Sequence, residues 1–192
     1  MPLPIAHSLL GGAVCVASDR DGTMAGYGRL ALAVVLANGA DLDYLPGMLV
    51  GDPHRFHRMA SHSLGWAILV ALVAAWLVRQ GWIRAWPLRP GWPSGALGTA
   101  LIVGLLWASH IVLDSLNADY SEPVGVMMFW PLSTVWVPAI PIFYNVDKIA
   151  GPASPWAFAR SLVSMHNLRA ALLEVALLGP VLGAAIWWRR QR

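Results

Sequence analysis

The stretch from Gly95 to Leu116, "GALGTALIVGLLWASHIVLDSL", carries no lysine, arginine or acid before Asp114. A bilayer core about 30 Å thick needs about 20 mostly apolar residues as helix. A segment of this kind constrains the fold more than any other feature of the chain, because such a helix is buried in a large core or in lipid. Ser63 to Val78 and Ala170 to Trp188 have the same character. Ile5 to Ala17 and Arg29 to Ala40 are shorter and end near polar residues, as half-buried helices would.

Composition favours lipid. Of 192 residues, 57% are hydrophobic and 12% charged, against about 25% charged in an ordinary globular domain. Eleven Trp fit the same reading, since an indole suits the boundary between lipid and water. Cys15 is the single cysteine, so no internal disulfide is possible, and it reads as a small buried hydrophobe. A formal charge of +3, dispersed along the chain, does not make the clustered basic face of a nucleic-acid partner. The N-terminus lacks the positive n-region of a secretory signal and is expected to belong to the mature fold.

The expected fold is all-α: a polytopic transmembrane bundle of about four to five helices in a single domain spanning 1–192. Between about 118 and 169 the texture changes, with prolines at 123, 131, 138, 141, 152 and 155 forbidding one continuous helix. An interfacial cap rich in proline and aromatics is expected there; the alternative is one irregular membrane segment from Val124 to Phe143. Arg79, Arg84 and Arg89, with Arg189, Arg190 and Arg192, mark two cytoplasmic ends. Arg20 and Arg29 join that side. By alternation His7, Asp41, Asp43, His62, His110, Asp114 and the cap all fall on the opposite, non-cytoplasmic face.

His110 and Asp114, at i and i+4, share a helix face. They suit one metal ion, or a hydrogen-bonded pair in which the carboxylate sets the imidazole tautomer. Ionisable groups within membrane segments are costly and mark functional sites. "HRFHRMASHS" places His54, His57 and His62 among Arg55 and Arg58. The imidazoles suit ligation, and the guanidiniums suit an anionic substrate or lipid headgroups. Asp41 and Asp43 in "NGADLDYLPG" suit either a metal-bridging turn or a plain capped turn. His7 alone reads as a core histidine, and His166 has no evident partner.

In chain order, His7, "DLD", "HRMASHS", "HIVLD" and "GVMMFWPL" resemble the YdjM-like family of inner-membrane-associated proteins, from His7 to Leu132. More loosely, the pattern is similar to the metal ladder of the zinc-dependent phospholipases C. The family's second motif reads H-R-G-x-T-H-S; here Met59 stands for the glycine and Ser61 for the threonine. The resemblance implies His7, Asp41, Asp43, His57, His62, His110 and Asp114 as metal-site residues, with Asp41, Asp43 and His62 taking part in catalysis.

Nitrogen and oxygen donors without thiolate suit Zn, Mn or Fe, as one or two ions. The expected activity is metal-dependent hydrolysis of an ester or phosphoester, of a lipid or lipid-linked substrate, with Arg55 and Arg58 receiving its anionic part. The alternatives are a non-catalytic metal-binding adaptor or transport component, and a buried polar network without metal. Membrane lipids are the expected partners.

Overall fold

The computed structural model describes residues 2–19, 27–118, 124–138, 140–149 and 154–191. Arg20, Pro123, Pro152 and Arg192 lie outside them. Seven α-helices run through the described residues: α1 (Pro4–Ser18), α2 (Tyr27–Ala37), α3 (Tyr44–Leu49), α4 (Leu64–Arg79), α5 (Gly95–Asp114), α6 (Pro155–Ser161) and α7 (Met165–Arg190). Short 3-10 turns occupy Gly39–Asp43 and Ala60–His62. Extended backbone among the described residues forms only isolated bridges. The expected all-helical class stands.

Among these helices α5 and α7 are long and apolar enough to cross a membrane. The expected four to five spans thus become two helices of spanning length and three shorter apolar ones. The 16 residues of α4 reach about 24 Å at 1.5 Å per residue. Helix α7 begins at Met165 rather than Ala170, because Ser164 accepts the Asn167 N–H as its N-cap.

Helix α5 sorts its apolar residues by face. Ile102, Leu106, His110 and Asp114 are buried along one i,i+4 stripe, whereas Leu97, Leu101, Leu105 and Val112 are exposed. One apolar face packs inward and the other suits lipid. Helix α4 exposes Ile68, Leu72 and Trp76 while it pairs with α5. Helix α1 packs between α2 and α7. Gly11 permits that approach, since a Cβ there would lie 2.6 Å from the Ala37 Cβ and 3.1 Å from the Ala33 carbonyl oxygen. Small residues at a helix crossing are the usual means of close packing in a membrane.

The arginine-bearing ends gather on one side of the bundle. Arg89 lies over the Trp188 ring at 4.2 Å, its backbone N–H reaches the Ser18 carbonyl, and Arg29 pairs with Asp19. At the other end, residues 124–138 and 140–149 fold back on α5. Ala118 donates to the Phe143 carbonyl, and Ile142 donates to that of Leu116. The same segment binds the histidine loop, with Met127 N–H on the Arg58 carbonyl and Leu64 N–H on that of Met128. A proline-rich segment thereby satisfies its backbone without a helix.

Gly11→Val tests the α1–α2 contact. Overpacking should cost about 1–3 kcal/mol and lower the thermal unfolding midpoint of the detergent-purified protein; an unchanged midpoint would contradict this packing.

Candidate metal centre

Three features of the chain deliver the site. The i,i+4 spacing on α5 turns His110 and Asp114 inward together. The 3-10 turn after α2 presents Asp41 and Asp43. The loop before α4 brings back His57 and His62, and Ser63 caps that helix by accepting the Trp66 N–H. His7, in the first turns of α1, lays its ring on His110 with centroids 3.8 Å apart and planes at 15°.

The structure brings His7, Asp41, Asp43, His57, His62, His110 and Asp114 to one place. His62 Nε2 lies 3.2 Å from His110 Nε2, 3.6 Å from Asp41 Oδ1 and 3.3 Å from Asp114 Oδ2. His110 Nε2 lies 3.6 Å from Asp41 Oδ1 and 3.7 Å from Asp114 Oδ2. Ligands 2.0–2.1 Å from a tetrahedral ion stand about 3.3 Å from one another. His62 Nε2, His110 Nε2 and Asp114 Oδ2 are spaced close to such a shell, and Asp41 joins two further groups of three, one with His57 and His62 and one with His7 and His110.

Their hydrogen bonding agrees with that spacing. His110 Nδ1–H donates to the Ala37 carbonyl at 2.9 Å, a helix-end acceptor otherwise without an intrahelical donor. Its Nε2 lone pair is thereby left facing His62. His62 Nδ1 lies 3.2 Å from Asp43 Oδ2 and 3.1 Å from Ser61 Oγ, so its Nε2 also faces the cluster. Both nitrogens of His7, Asp41 Oδ1, both oxygens of Asp114 and His57 Nε2 are buried without a hydrogen-bond partner. Buried polar atoms are ordinarily paired. Orphans gathered in three overlapping groups of three suit a cation, and the N and O donor set suits Zn, Mn or Fe.

Asp43 differs from Asp41. Its Oδ1 accepts from His57 Nδ1 at 3.0 Å, and its Oδ2 accepts from Ser61 Oγ at 2.7 Å and from the Arg58 backbone N–H at 3.2 Å. Burial raises the Asp43 pKa, but bonds from His57 and His62 outweigh it and hold the carboxyl well below the usual range. For Asp41 burial is likewise outweighed, there by the His110 charge and by bonds from His110 and His62. Burial dominates at His57 and lowers it to about 3. At His62 the bonds to Asp114, Asp41 and Asp43 overcome burial and raise it.

The two arginines part company. Arg58 is buried, with φ of 65°, and its backbone bonds Asp43 and Met127. Arg55 is exposed over the Phe56 ring. The left-handed backbone falls on Arg58, one residue before the position where the family motif has glycine; Met59 itself has a negative φ. His54 bonds the Ile149 carbonyl through Nε2, and His166 bonds that of Asn145.

Two further residues support the cluster and were not singled out from the sequence. Tyr44 stacks on His57 at 4.0 Å. Glu174 of α7 accepts the Leu3 and Ala6 N–H groups at 2.6 and 2.9 Å, which holds the N-terminus of α1 and so the ring of His7. A lone acid inside an apolar run was the available signal for Glu174.

Helices with exposed apolar faces, enclosing a group of histidines and aspartates able to hold a metal ion, define a helical membrane protein with a candidate metal centre. The chain belongs to the YdjM inner membrane protein family, whose family model matches residues 1–192. No curated protein and no solved structure matches it.

Proposed function

We propose that the protein is a membrane-bound metal-dependent hydrolase acting on an ester or phosphoester, with a lipid or lipid-linked molecule as its substrate class. The observation that carries this reading is the convergence of histidine nitrogens and carboxylate oxygens in three overlapping groups, with His62 Nε2, His110 Nε2 and Asp114 Oδ2 between 3.2 and 3.7 Å apart. These three atoms would hold one ion. Asp41, with His57 and His62 or with His7 and His110, would hold a second. A bound divalent ion supplies Lewis-acid polarisation and brings the acidity of water toward neutrality.

The chain's own residues do the rest. Asp43 sets the tautomers of His57 and His62 and keeps their other nitrogens turned to the cluster, in the manner of a carboxylate behind a ligating histidine. Asp41, 15% exposed beside the fully buried His62, His110 and Asp114, marks the side from which substrate and water approach. Arg58, whose backbone bonds Asp43, would receive the anionic group of the substrate, whereas Arg55 stays exposed over the Phe56 ring.

We further propose that α1, α2 and α4 complete a multi-pass bundle with α5 and α7, the arginine end cytoplasmic and the cluster on the other face. The gathering of Arg89, Trp188, Arg29 and Asp19 at one end supports this. Cysteines introduced as Leu132→Cys and Arg84→Cys test it in spheroplasts. A membrane-impermeant maleimide should label position 132 and spare position 84; the reverse pattern would invert the orientation.

The complete burial of His62, His110 and Asp114 favours a second reading, a saturated structural metal site without turnover. Elemental mass spectrometry of detergent-purified protein, beside hydrolysis across a lipid and phosphoester panel, separates the two. Wild type should hold one or two transition-metal equivalents and hydrolyse a panel member, and His110→Ala combined with Asp114→Ala should lose both metal and turnover while staying folded. Metal without turnover, and unfolding of the variant, would establish the structural reading. No metal after reconstitution would end both. Asp43→Asn should weaken metal affinity by about 10- to 100-fold in a chelator competition titration, and an unchanged affinity would remove Asp43 from its orienting role.

A further inference from the structure

Beside the cluster lies a cavity of about 540 Å³, within the range of small-molecule sites, about 300–1,000 Å³. Asp43 and Ser61 form its polar side; Phe56, Met59, Trp66, Trp107, Met127 and Trp130 form most of the rest. We propose that this cavity is the subsite for the hydrocarbon chain of an amphiphilic ester or phosphoester whose polar head reaches the His/Asp cluster. The proposal rests on the hydrolase reading for its head group and goes beyond it by assigning the residues that receive the tail.

Four observations support a chain here. First, the polar handles of Trp107 and Ser61 are already engaged. Trp107 Nε1–H donates to the Ser61 carbonyl at 2.9 Å, and Ser61 Oγ donates to Asp43. The Trp107 indole therefore offers the cavity its apolar body.

Second, the cavity adjoins the metal centre through the residues that orient its histidines. Asp43 and Ser61 belong to both, and Trp107 lies on α5 one turn before His110. Gly39 makes this closeness possible, because a Cβ there would meet the Trp107 ring at 2.6 Å.

Third, the walls come from separate segments locked in place. Met127 donates to the Arg58 carbonyl and Leu64 to that of Met128, while Trp66 and Trp130 pack with centroids 6.4 Å apart. Such walls hold a preformed slot between α4, α5 and the cap.

Fourth, the rim leads to lipid. Leu42, Phe56 and Met59 are 57%, 39% and 40% exposed, and the neighbouring face of α4 exposes Leu64 and Ile68. An apolar path of this kind passes a chain from the bilayer without exposing it to water. Met59 sits at its mouth, where the family motif has glycine, so the side chain at this position would govern the width of the entrance.

The test uses full-length, metal-replete protein in nanodiscs and a dodecyl phosphate carrying a diazirine at its chain end. Peptide mass spectrometry should find labelling of Phe56–Ser61 and Met127–Trp130 that saturates with probe and is competed by plain dodecyl phosphate but not by inorganic phosphate. Labelling of the lipid-facing side of α7 should rise linearly and serve as the reference. Met59→Trp, which fills the mouth, and Leu42→Glu, which places a charge on its exposed rim, should each abolish the saturable component while leaving α7 labelling unchanged. Labelling of the cavity peptides that parallels α7, or that survives both variants, would overturn the subsite. Saturable labelling without hydrolysis would keep the subsite and remove the hydrolase; hydrolysis of a soluble phosphoester without saturable labelling would do the opposite.

Discussion

The carboxylate of Asp43 is the fixed point on which the polar end of the molecule depends. The loop from Val50 to Ser63 has little regular structure of its own, yet His57, the Arg58 backbone and Ser61 all bond Asp43, with His62 beside them. One buried acceptor thus orders an irregular loop, and charge-assisted hydrogen bonds of this kind are among the stronger ones. The left-handed backbone at Arg58 is held between Asp43 on one side and Met127 on the other. With that loop in place, His62 faces His110 across 3.2 Å, and the remaining buried carboxylates call for positive charge between them.

The helices supply the second half of the arrangement. An apolar exterior provides no preference for one rotation of a helix over another in lipid, so orientation must come from small residues and polar contacts. Gly11 against Ala33 and Ala37 brings α1 onto α2, Glu174 grips the start of α1 from α7, and His110 closes the end of α2 through the Ala37 carbonyl. These contacts join four helices at the same end of the bundle where the ionisable groups lie. The polar end therefore organises the helices as much as the helices position the polar end. Residues 124–138 and 140–149 complete it, because their backbone bonds to α5 and to the histidine loop close the cluster from the side opposite the arginine-bearing helix ends.

Much of this was legible in the chain. The inward stripe of Ile102, Leu106, His110 and Asp114 follows from helical periodicity alone, and the break of texture after Leu116 correctly separates α5 from a non-helical segment rich in proline. Convergence of six of the ionisable residues on one end also followed from alternating the ends of apolar segments, and His57 joined them through the motif around it. Other features were not legible for definite reasons. Asp41 and Asp43 flank one leucine and look equivalent, but a 3-10 turn sends one into the cluster and the other behind the histidines. Arg55 and Arg58 look like a pair, yet a single left-handed residue buries one and leaves the other outside. The shortness of α1 and α2 was legible, because both apolar runs stop near polar residues, whereas the run that forms the 16-residue α4 read as a span.

The sequence by itself determined the helical class, the membrane composition, the inventory of donors and the shared face of His110 and Asp114, all of which depend on residue type and local spacing. Tertiary structure alone decided which atoms approach which: the tautomer of His110 through a carbonyl on α2, the hub at Asp43, the hold of Glu174 on α1, and the cavity walled by Trp66, Trp107 and Trp130. Helical period is a property of a few consecutive residues and can be read along the chain. Distances between atoms tens of residues apart are settled by loop geometry and packing, which have no period to read.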